Sequence, residues 1–366
     1  MQKTIRFTEL FAGVGGFRVG LENVDKDGSY VESVDGTQDG GSQEDTQRTS
    51  EVGERLVSTQ SEGTRTENGR TDEHSHYGSD GRTFTCVYSN ENNESANAIY
   101  RRNYGQDHQD TRSIVDVGTD EIPDHDLLTA GFPCQSFSVA GQRGGFEDTR
   151  GTLFFEVARI LREKRPQHFI LENVKGLLSH DKGRTFNTII GVLSDLGYRC
   201  EWELVNSQYF GVPQSRDRVF IVGHLRGECT GRVFPLIRQD VRHTETHERR
   251  GIVKAVHNIY GGFKEKAVRV FDILPTLRTP KGGGHIPCIY RAQRVDDYID
   301  LSLRWTTPLE FERGQAFPDF WTKYGTDEHG VVEEMSKSKR YFAMGNSVTT
   351  TVVTAIGKKL LDVCIH

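Results

Sequence analysis

Cysteine is scarce in this 366-residue chain and nowhere clustered. Cys86, Cys134, Cys200, Cys229, Cys288 and Cys364 stand far apart, with no CxxC spacing and no Cys/His pairing, so no zinc site and no other metal is expected. A signal peptide is missing, and so is any apolar run long enough to span a bilayer. A cytoplasmic chain with reduced thiols and no membrane contact is the expectation. Positive charge is short too: 46 Lys and Arg face 52 Asp and Glu, a net charge of −6. That balance argues against a polyanionic partner until the charge is mapped along the chain.

The acidity belongs to one segment. Residues 25–83 hold 14 acidic and 6 basic residues, which leaves +2 for the remainder. They are rich in Gly, Ser, Thr, Asp, Glu and Gln and nearly devoid of large apolar side chains. Such a stretch cannot bury enough surface to offset its ordering entropy, and reads as a disordered surface insertion. The whole length exceeds one ordinary core, which predicts two domains or one large domain with insertions.

The stretch around which the rest is organised is DLLTAGFPCQSFS, residues 126–138. Residues 126–130 form an apolar run too brief for a helix and bounded by turn residues, which predicts a buried strand. Cys134 follows its end, on a turn where Pro133 fixes one backbone angle and Gly131 permits close approach. In open α/β sheets, ligands bind beyond the carboxyl ends of the strands. A lone cysteine is by default a small buried hydrophobe, so its role depends on its company.

Residues 3–7 predict a first strand and residues 8–17, with Phe11, Gly13 and Gly15, a glycine-rich turn into a helix through Leu21. Such a turn suits a nucleotide-like ligand, and equally a bare loop. Its spacing departs from the phosphate-cradling pattern, although a nicotinamide-dependent oxidoreductase is open from this turn alone. A second strand, 84–88, ends in Ser89-Asn90-Glu91, where an acidic residue could hold a ribose or sit at a helix N-terminus. After a helix at 96–104, Asp110 lies in a polar turn from which a carboxylate could meet an adenine amino group.

The loop 139–151 carries Gly141, Gly144, Gly145 and Gly151, as a substrate-closing lid or plain surface slack would. Helical spacing covers 152–164. The next strand, 168–171, ends in Glu172-Asn173-Val174, which puts this carboxylate at the sheet edge expected for Cys134, unless it only caps or pairs. A helix at 185–196 and a strand at 200–205 precede PQSRDR, residues 213–218, and a strand at 219–223. Arg216 and Arg218 come before that strand, so they reach the same edge only if it runs antiparallel to its neighbours.

Residues 228–303 break the α/β rhythm, with 13 Lys or Arg against 9 acidic residues, four histidines and a turn-rich stretch at 274–285. They predict a small separate domain whose basic loops meet a polyanion. Residues 304–317 return to helical spacing, with Pro308 near the start, and the chain closes with MGNSV, 344–348, and a helix through Leu361.

GFPCQSFS, ILENV, PQSRDR and MGNSV, in that order, resemble the motifs of the DNA (cytosine-5) methyltransferases of the bacterial and archaeal modification type. The resemblance covers nearly the whole chain outside 25–83 and 228–303. It implies an α/β fold, the class I S-adenosylmethionine-dependent methyltransferase: a Rossmann-like mixed, mostly parallel sheet with helices on both faces and its last strand reversed. Residues 1–227 would be the catalytic domain, 228–303 a small target-recognition domain and 304–366 the return to the catalytic domain. S-adenosyl-L-methionine would be held by Phe11, Gly13, Gly15, Pro133, Leu153, Asn346, Ser347 and Val348, with Glu91 on the ribose and Asp110 near adenine. Asn92 stands where some members place a stacking aromatic.

The implied reaction explains the residue types. C5 of cytosine is too electron-poor to attack a methyl sulfonium until a nucleophile adds at C6, which Cys134 would do. Glu172, kept in its acid form by a dry pocket, would donate to N3, Arg218 would hold O2 and Arg216 would orient nearby groups. The base must first leave the duplex. Thr276, Arg278, Gly283 and Gly284 would touch DNA. The implied partner of this monomer is double-stranded DNA, with a cognate restriction endonuclease acting separately; structured RNA as substrate, or a catalytically dead DNA-binding relative, are the rival readings.

Overall fold

The computed structural model describes residues 4–24, 83–133, 153–236, 253–257, 269–271, 273–279, 286–295 and 298–364. The chain opens with β1 (Thr4–Leu10) and α1 (Gly16–Glu22), then β2 (Thr83–Asn90), α2 (Glu94–Tyr104), the two-residue β3 (Gln109–Asp110) and β4 (Leu127–Ala130). Next come α3 (Leu153–Lys164), β5 (His168–Val174), α4 (Arg184–Asp195), β6 (Tyr198–Asn206), a short β7 (Gln214–Ser215) and β8 (Asp217–Leu225). β9 (Val253–His257), β10 (Arg269–Phe271), β11 (Leu274–Pro275), β12 (Cys288–Val295) and β13 (Tyr298–Trp305) follow. The last described elements are α5 (Pro308–Gly314), β14 (Tyr324–Thr326), β15 (Val332–Glu334), α6 (Lys337–Asn346) and α7 (Thr350–Cys364).

Among the described residues the main sheet has seven strands in the order β3-β2-β1-β4-β5-β8-β6. β1, β2, β3, β4 and β5 are mutually parallel, and their register brings Leu10 level with Asn90 and Ala130, and Ala130 level with Leu171. β8 runs antiparallel to both β5 and β6, with Val174 opposite Arg218. This reversal is what the arginine placement required. A chain entering β8 from PQSRDR starts at the edge where β4 and β5 finish.

The period-2 alternation of β5 serves two cores at once. Ile170 joins Ile5, Phe7 and Val222 against α1 and α7, through Phe17, Leu21, Val353 and Ile356. Phe169 and Leu171 join Leu128 and Ile221 against α3 and α4, through Phe154, Val157, Ile189 and Leu193. Strands buried on both faces read as unbroken apolar runs, which is why 126–130 and 168–171 stood out. The helix periodicity of residues 153–164 likewise translates directly into the buried Phe154, Val157, Ala158, Ile160 and Leu161 of α3.

β1 runs three residues beyond the strand expected at 3–7. Thr8, Glu9 and Leu10 stay in the ladder because β2 and β4 bracket them on both sides. The expected closing helix is α7, and a further helix, α6, precedes it, the two being separated where Ser347 turns extended (φ −74°, ψ 158°). α5 begins as its sequence suggests: Pro308 is its first residue, and Thr307 and Glu310 form a reciprocal capping box.

A second, antiparallel sheet with the order β10-β9-β12-β13 lies in the 228–303 segment. The chain entering this segment still packs on the main sheet. Val233, Phe234 and Leu236 belong to its core, and their amides donate to the carboxylates of Glu201 and Glu203. Thr83, the last residue of the expected insertion, is the first of β2 because it pairs with Thr4; residues 25–82 and the glycine-rich loop at 139–151 lie outside the described residues.

Candidate active site

The site is assembled at the carboxyl edge of the main sheet. The turn after β1 puts Phe11, Gly13 and Gly15 in the left-handed region, at φ 54°, 56° and 84°. A side chain at Gly13 would meet no atom, so glycine answers a backbone requirement there and leaves its main chain open to a ligand. Gly13 N donates to Glu91 Oε2 at 3.0 Å, and Asn93 N donates to Glu91 Oε1 at 2.8 Å. Glu91 thus takes the helix N-terminal place that its position allowed, on the N-cap amide of α2, and in addition fixes the glycine turn, a contact with no signal in the sequence.

Glu9, at the end of β1, was not singled out by sequence reasoning. It is fully buried, and Phe17 N donates to its Oε1 at 3.0 Å. Burial pushes its carboxyl up to about 8, against the opposing pull of Arg18 and the α1 amides. Its Oε2 has no hydrogen-bond partner among the described residues.

The other end of the site lies beyond β4 and β5. Glu172 Oε1 pairs with Arg218 Nε at 2.8 Å, both side chains being largely buried, and Arg218 Nη1 donates to Asp217 O at 2.8 Å. Asn173, a second residue missed from sequence, is buried: its Nδ2 donates to Phe132 O at 2.9 Å, while its Oδ1 accepts Val174 N at 2.8 Å. It therefore pins the backbone two residues before Cys134 to the strand carrying Glu172. Its only signal was adjacency to that glutamate. Cys134 itself lies outside the described residues; the described chain before it stops at Pro133.

Arg216 is 2% exposed. Its guanidinium donates to Leu277 O at 3.0 Å and Ser347 O at 2.7 Å, with Gly345 O at 3.4 Å. A cleft of about 450 Å³ links all these parts. Phe11, Gly13, Glu91, Pro133, Leu153, Asn346, Ser347 and Val348 line it together with Glu172, Arg216 and Arg218. Phe342 and Ala343 of α6 also line it, a contribution with no signal in the motif reading.

Six remaining positions fall elsewhere or beyond the description. Gly15 backs the turn, where a side chain would collide with Tyr104 and Tyr100. Asp110 belongs to edge strand β3 and not to a turn. Its carboxylate is taken by Arg112 and by the Tyr88 hydroxyl at 3.0 Å, an arrangement that holds it below its ordinary range. Thr276 Oγ1 donates to Ser215 O at 2.9 Å, and Arg278 is exposed. Gly283 and Gly284 lie outside the described residues, and no group of metal-ligating side chains occurs among those described.

Chemically, one end of the cleft offers an open glycine backbone and a carboxylate with apolar walls, and the other a carboxyl and guanidinium within reach of one small planar ring. The family model for the C-5 cytosine-specific DNA methylases matches residues 74–271. The type II methyltransferase M.NgoBI of Neisseria gonorrhoeae is 49% identical over 284 residues, covering 75% of this chain and 85% of that protein. The type II methyltransferase M.HpaII of Haemophilus parainfluenzae is 35% identical over 325 residues, covering 76% and 83%. The fold is shared with the S. pombe Dnmt2 methyltransferase, with a TM-score of 0.59 at 17% identity over 98% of each chain. With a family model spanning more than half of its length and relatives aligned over most of theirs, this chain belongs to the C-5 cytosine-specific DNA methylases.

Proposed function

We propose that the chain methylates C5 of cytosine within a specific sequence of duplex DNA, drawing the base out of the helix into the cleft and adding Cys134 to C6. The observation that carries this reading is the single cleft joining the glycine turn and Glu91 at one end to the Glu172–Arg218 pair at the other. A methyl donor and a pyrimidine ring can meet only where both ends share one space.

The residues present fit S-adenosyl-L-methionine. The open backbone at Gly13, the Glu91 carboxylate and the apolar surfaces of Phe11, Leu153 and Val348 suit a nucleoside, and Asn346 and Ser347 close the wall. When bound, the cofactor supplies an electrophilic methyl group. The protein's part is to make C5 a nucleophile. The Cys134 thiolate adds to C6, Glu172 donates a proton to N3, and Arg218 holds O2. The resulting enamine carries electron density at C5. Loss of the C5 proton after transfer, departure of Cys134 and return of the N3 proton to Glu172 restore the neutral aromatic ring.

A stacked base is out of reach of any such cleft, and extruding one costs a few kcal/mol. Residues 228–303 would supply the reading and clamping surface, with the loop 139–151 as lid. On the same reading the enzyme is a cytoplasmic monomer, with a cognate restriction endonuclease acting separately. No described helix is long and apolar enough to cross a membrane.

A duplex carrying 5-fluorocytosine at the target tests the adduct, since fluorine blocks the final elimination. A denaturant-resistant protein–DNA complex should form with S-adenosylmethionine and the unaltered chain, and not with Cys134→Ser. Bisulfite sequencing of DNA from expressing cells identifies the target. Methylation by Cys134→Ser at a near-normal rate would overturn the covalent step.

A further inference from the structure

Arg216 has the position of a catalytic residue and the contacts of a structural one. Three segments far apart in sequence meet around it. From the first, residues 213–218, Gln214 Oε1 accepts Leu277 N at 2.9 Å while Arg216 Nη1 donates to Leu277 O at 3.0 Å. Both backbone groups of one residue in the second segment, 274–279, are therefore held by side chains of the first. Leu274 N donates to Pro213 O at 3.0 Å, and β7 and β11 form a parallel ladder beside them. The third segment, 343–348, supplies Ser347 O and Gly345 O as acceptors for Arg216.

The packing is as close as the hydrogen bonding. A methyl group on Gly345 would run into the backbone of Arg278 and Thr279, whose carbonyl carbon and amide lie too near to admit one. Arg216 is a buried cation with carbonyl oxygens in place of a carboxylate, and its Nε has no partner among the described residues. Desolvation of this kind is expensive, and a neutral residue would hold a static joint at lower cost. Two residues on, Arg218 pairs with Glu172.

We infer that Arg216 is a positioning residue that couples the segment leading into the target-reading loops to the cofactor wall at 345–347 and to Arg218. This rests on the function proposed above. Through this joint, correct seating of a duplex at Arg278 and beyond tightens the cofactor wall, so cofactor affinity and target occupancy rise together. A lysine would keep the charge but lose the planar fork that reaches carbonyls on two segments at once.

The experiment measures the dissociation constant of S-adenosylhomocysteine, by calorimetry, without DNA and with a duplex carrying the mapped site. The unaltered chain should bind it about tenfold more tightly on the duplex, a typical coupling between two sites. In Arg216→Lys that factor should fall to below about twofold, each variant being compared with and without the duplex so that any change in its affinity without DNA cancels. Gly345→Ala, which wedges the same joint from the opposite side, should give the same loss. A folded Arg216→Lys or Gly345→Ala chain that keeps the full coupling overturns the inference, as does an unaltered chain with none. Failure of both variants to fold also overturns it, because the joint would then be a foundation of the fold. If the unaltered chain methylates no cytosine, it is the reading of the site that fails.

Discussion

β5 and β8 meet one polar cluster at each end, and the two clusters are built differently. At the carboxyl end of β5, Glu172 and Arg218 pair at 2.8 Å on the wall of the cleft, where a ring entering between them could take both partners. At the other end, His168 Nδ1 and His224 Nδ1 lie 3.0 Å apart, and His224 Nε2 meets Glu201 Oε1 at 2.9 Å. There Glu201 also accepts Val233 N and Phe234 N, and both histidines are buried. A hydrogen bond between two Nδ1 atoms needs one protonated and one bare nitrogen, so the two rings must take complementary roles. A glutamate at either end of this strand pair, Glu172 of β5 or Glu201 of β6, thus serves the fold where its partners are backbone amides, and lines the cleft where they are not.

Breaking the first cluster should give the largest effect. Glu172→Gln is expected to lower turnover by about 10²–10⁴-fold, the usual worth of a positioned proton donor, with an unfolding midpoint close to that of the unaltered chain. Steady-state methylation and a thermal melt on one preparation check both halves. A large stability loss would show that Glu172 is consumed by the fold after all.

Glu201→Gln should do the reverse at the far end. It weakens acceptance from two amides and a histidine, at a cost of about 1–3 kcal/mol in denaturant unfolding. Turnover per folded molecule should stay the same. A drop in turnover without unfolding would erase the distinction between the two ends.

The smallest effect concerns pH and sharpens the comparison through Glu9. Glu9 is raised from 4.5 to about 8 by burial, so its contribution is complete below its ordinary value and is lost as pH climbs through about 8. Glu201 lies below its ordinary 4.5, because His224 and the two amides hold its charged form against burial. Its contribution is present above that value and is lost as pH falls through the lowered one. Melting temperatures across this range should fall on both sides. Glu9→Gln should flatten the alkaline side alone and Glu201→Gln the acid side alone; a Glu9→Gln chain with an unchanged alkaline slope would place that titration elsewhere.

Much of this arrangement is legible without coordinates. β4 and β5 are short apolar runs ending in GFPC and ENV, and α3 shows its buried face in its spacing. The requirement that β8 be antiparallel follows from where Arg216 and Arg218 stand relative to it. Other features leave no local trace. The two-residue strand β3 exists only because the longer β2 lies alongside it, and β7 and β11 only because each lies alongside the other. Asp110 looked like a free carboxylate in a turn, and its binding by Arg112 and Tyr88 depends on the edge of β2.

Local pattern determined the helices, the central strands, the motif order and the sheet edge at which the chemistry gathers, because periodicity and turn chemistry act over a few residues. Only the tertiary structure decided what each polar group spends its hydrogen bonds on. Arg216 finds acceptors 61 and 131 residues away, Asn173 one 41 residues away and Glu91 a donor 78 residues away. Satisfying a buried donor or acceptor is a condition on whatever lies nearby in space, and sequence spacing carries no record of that neighbour.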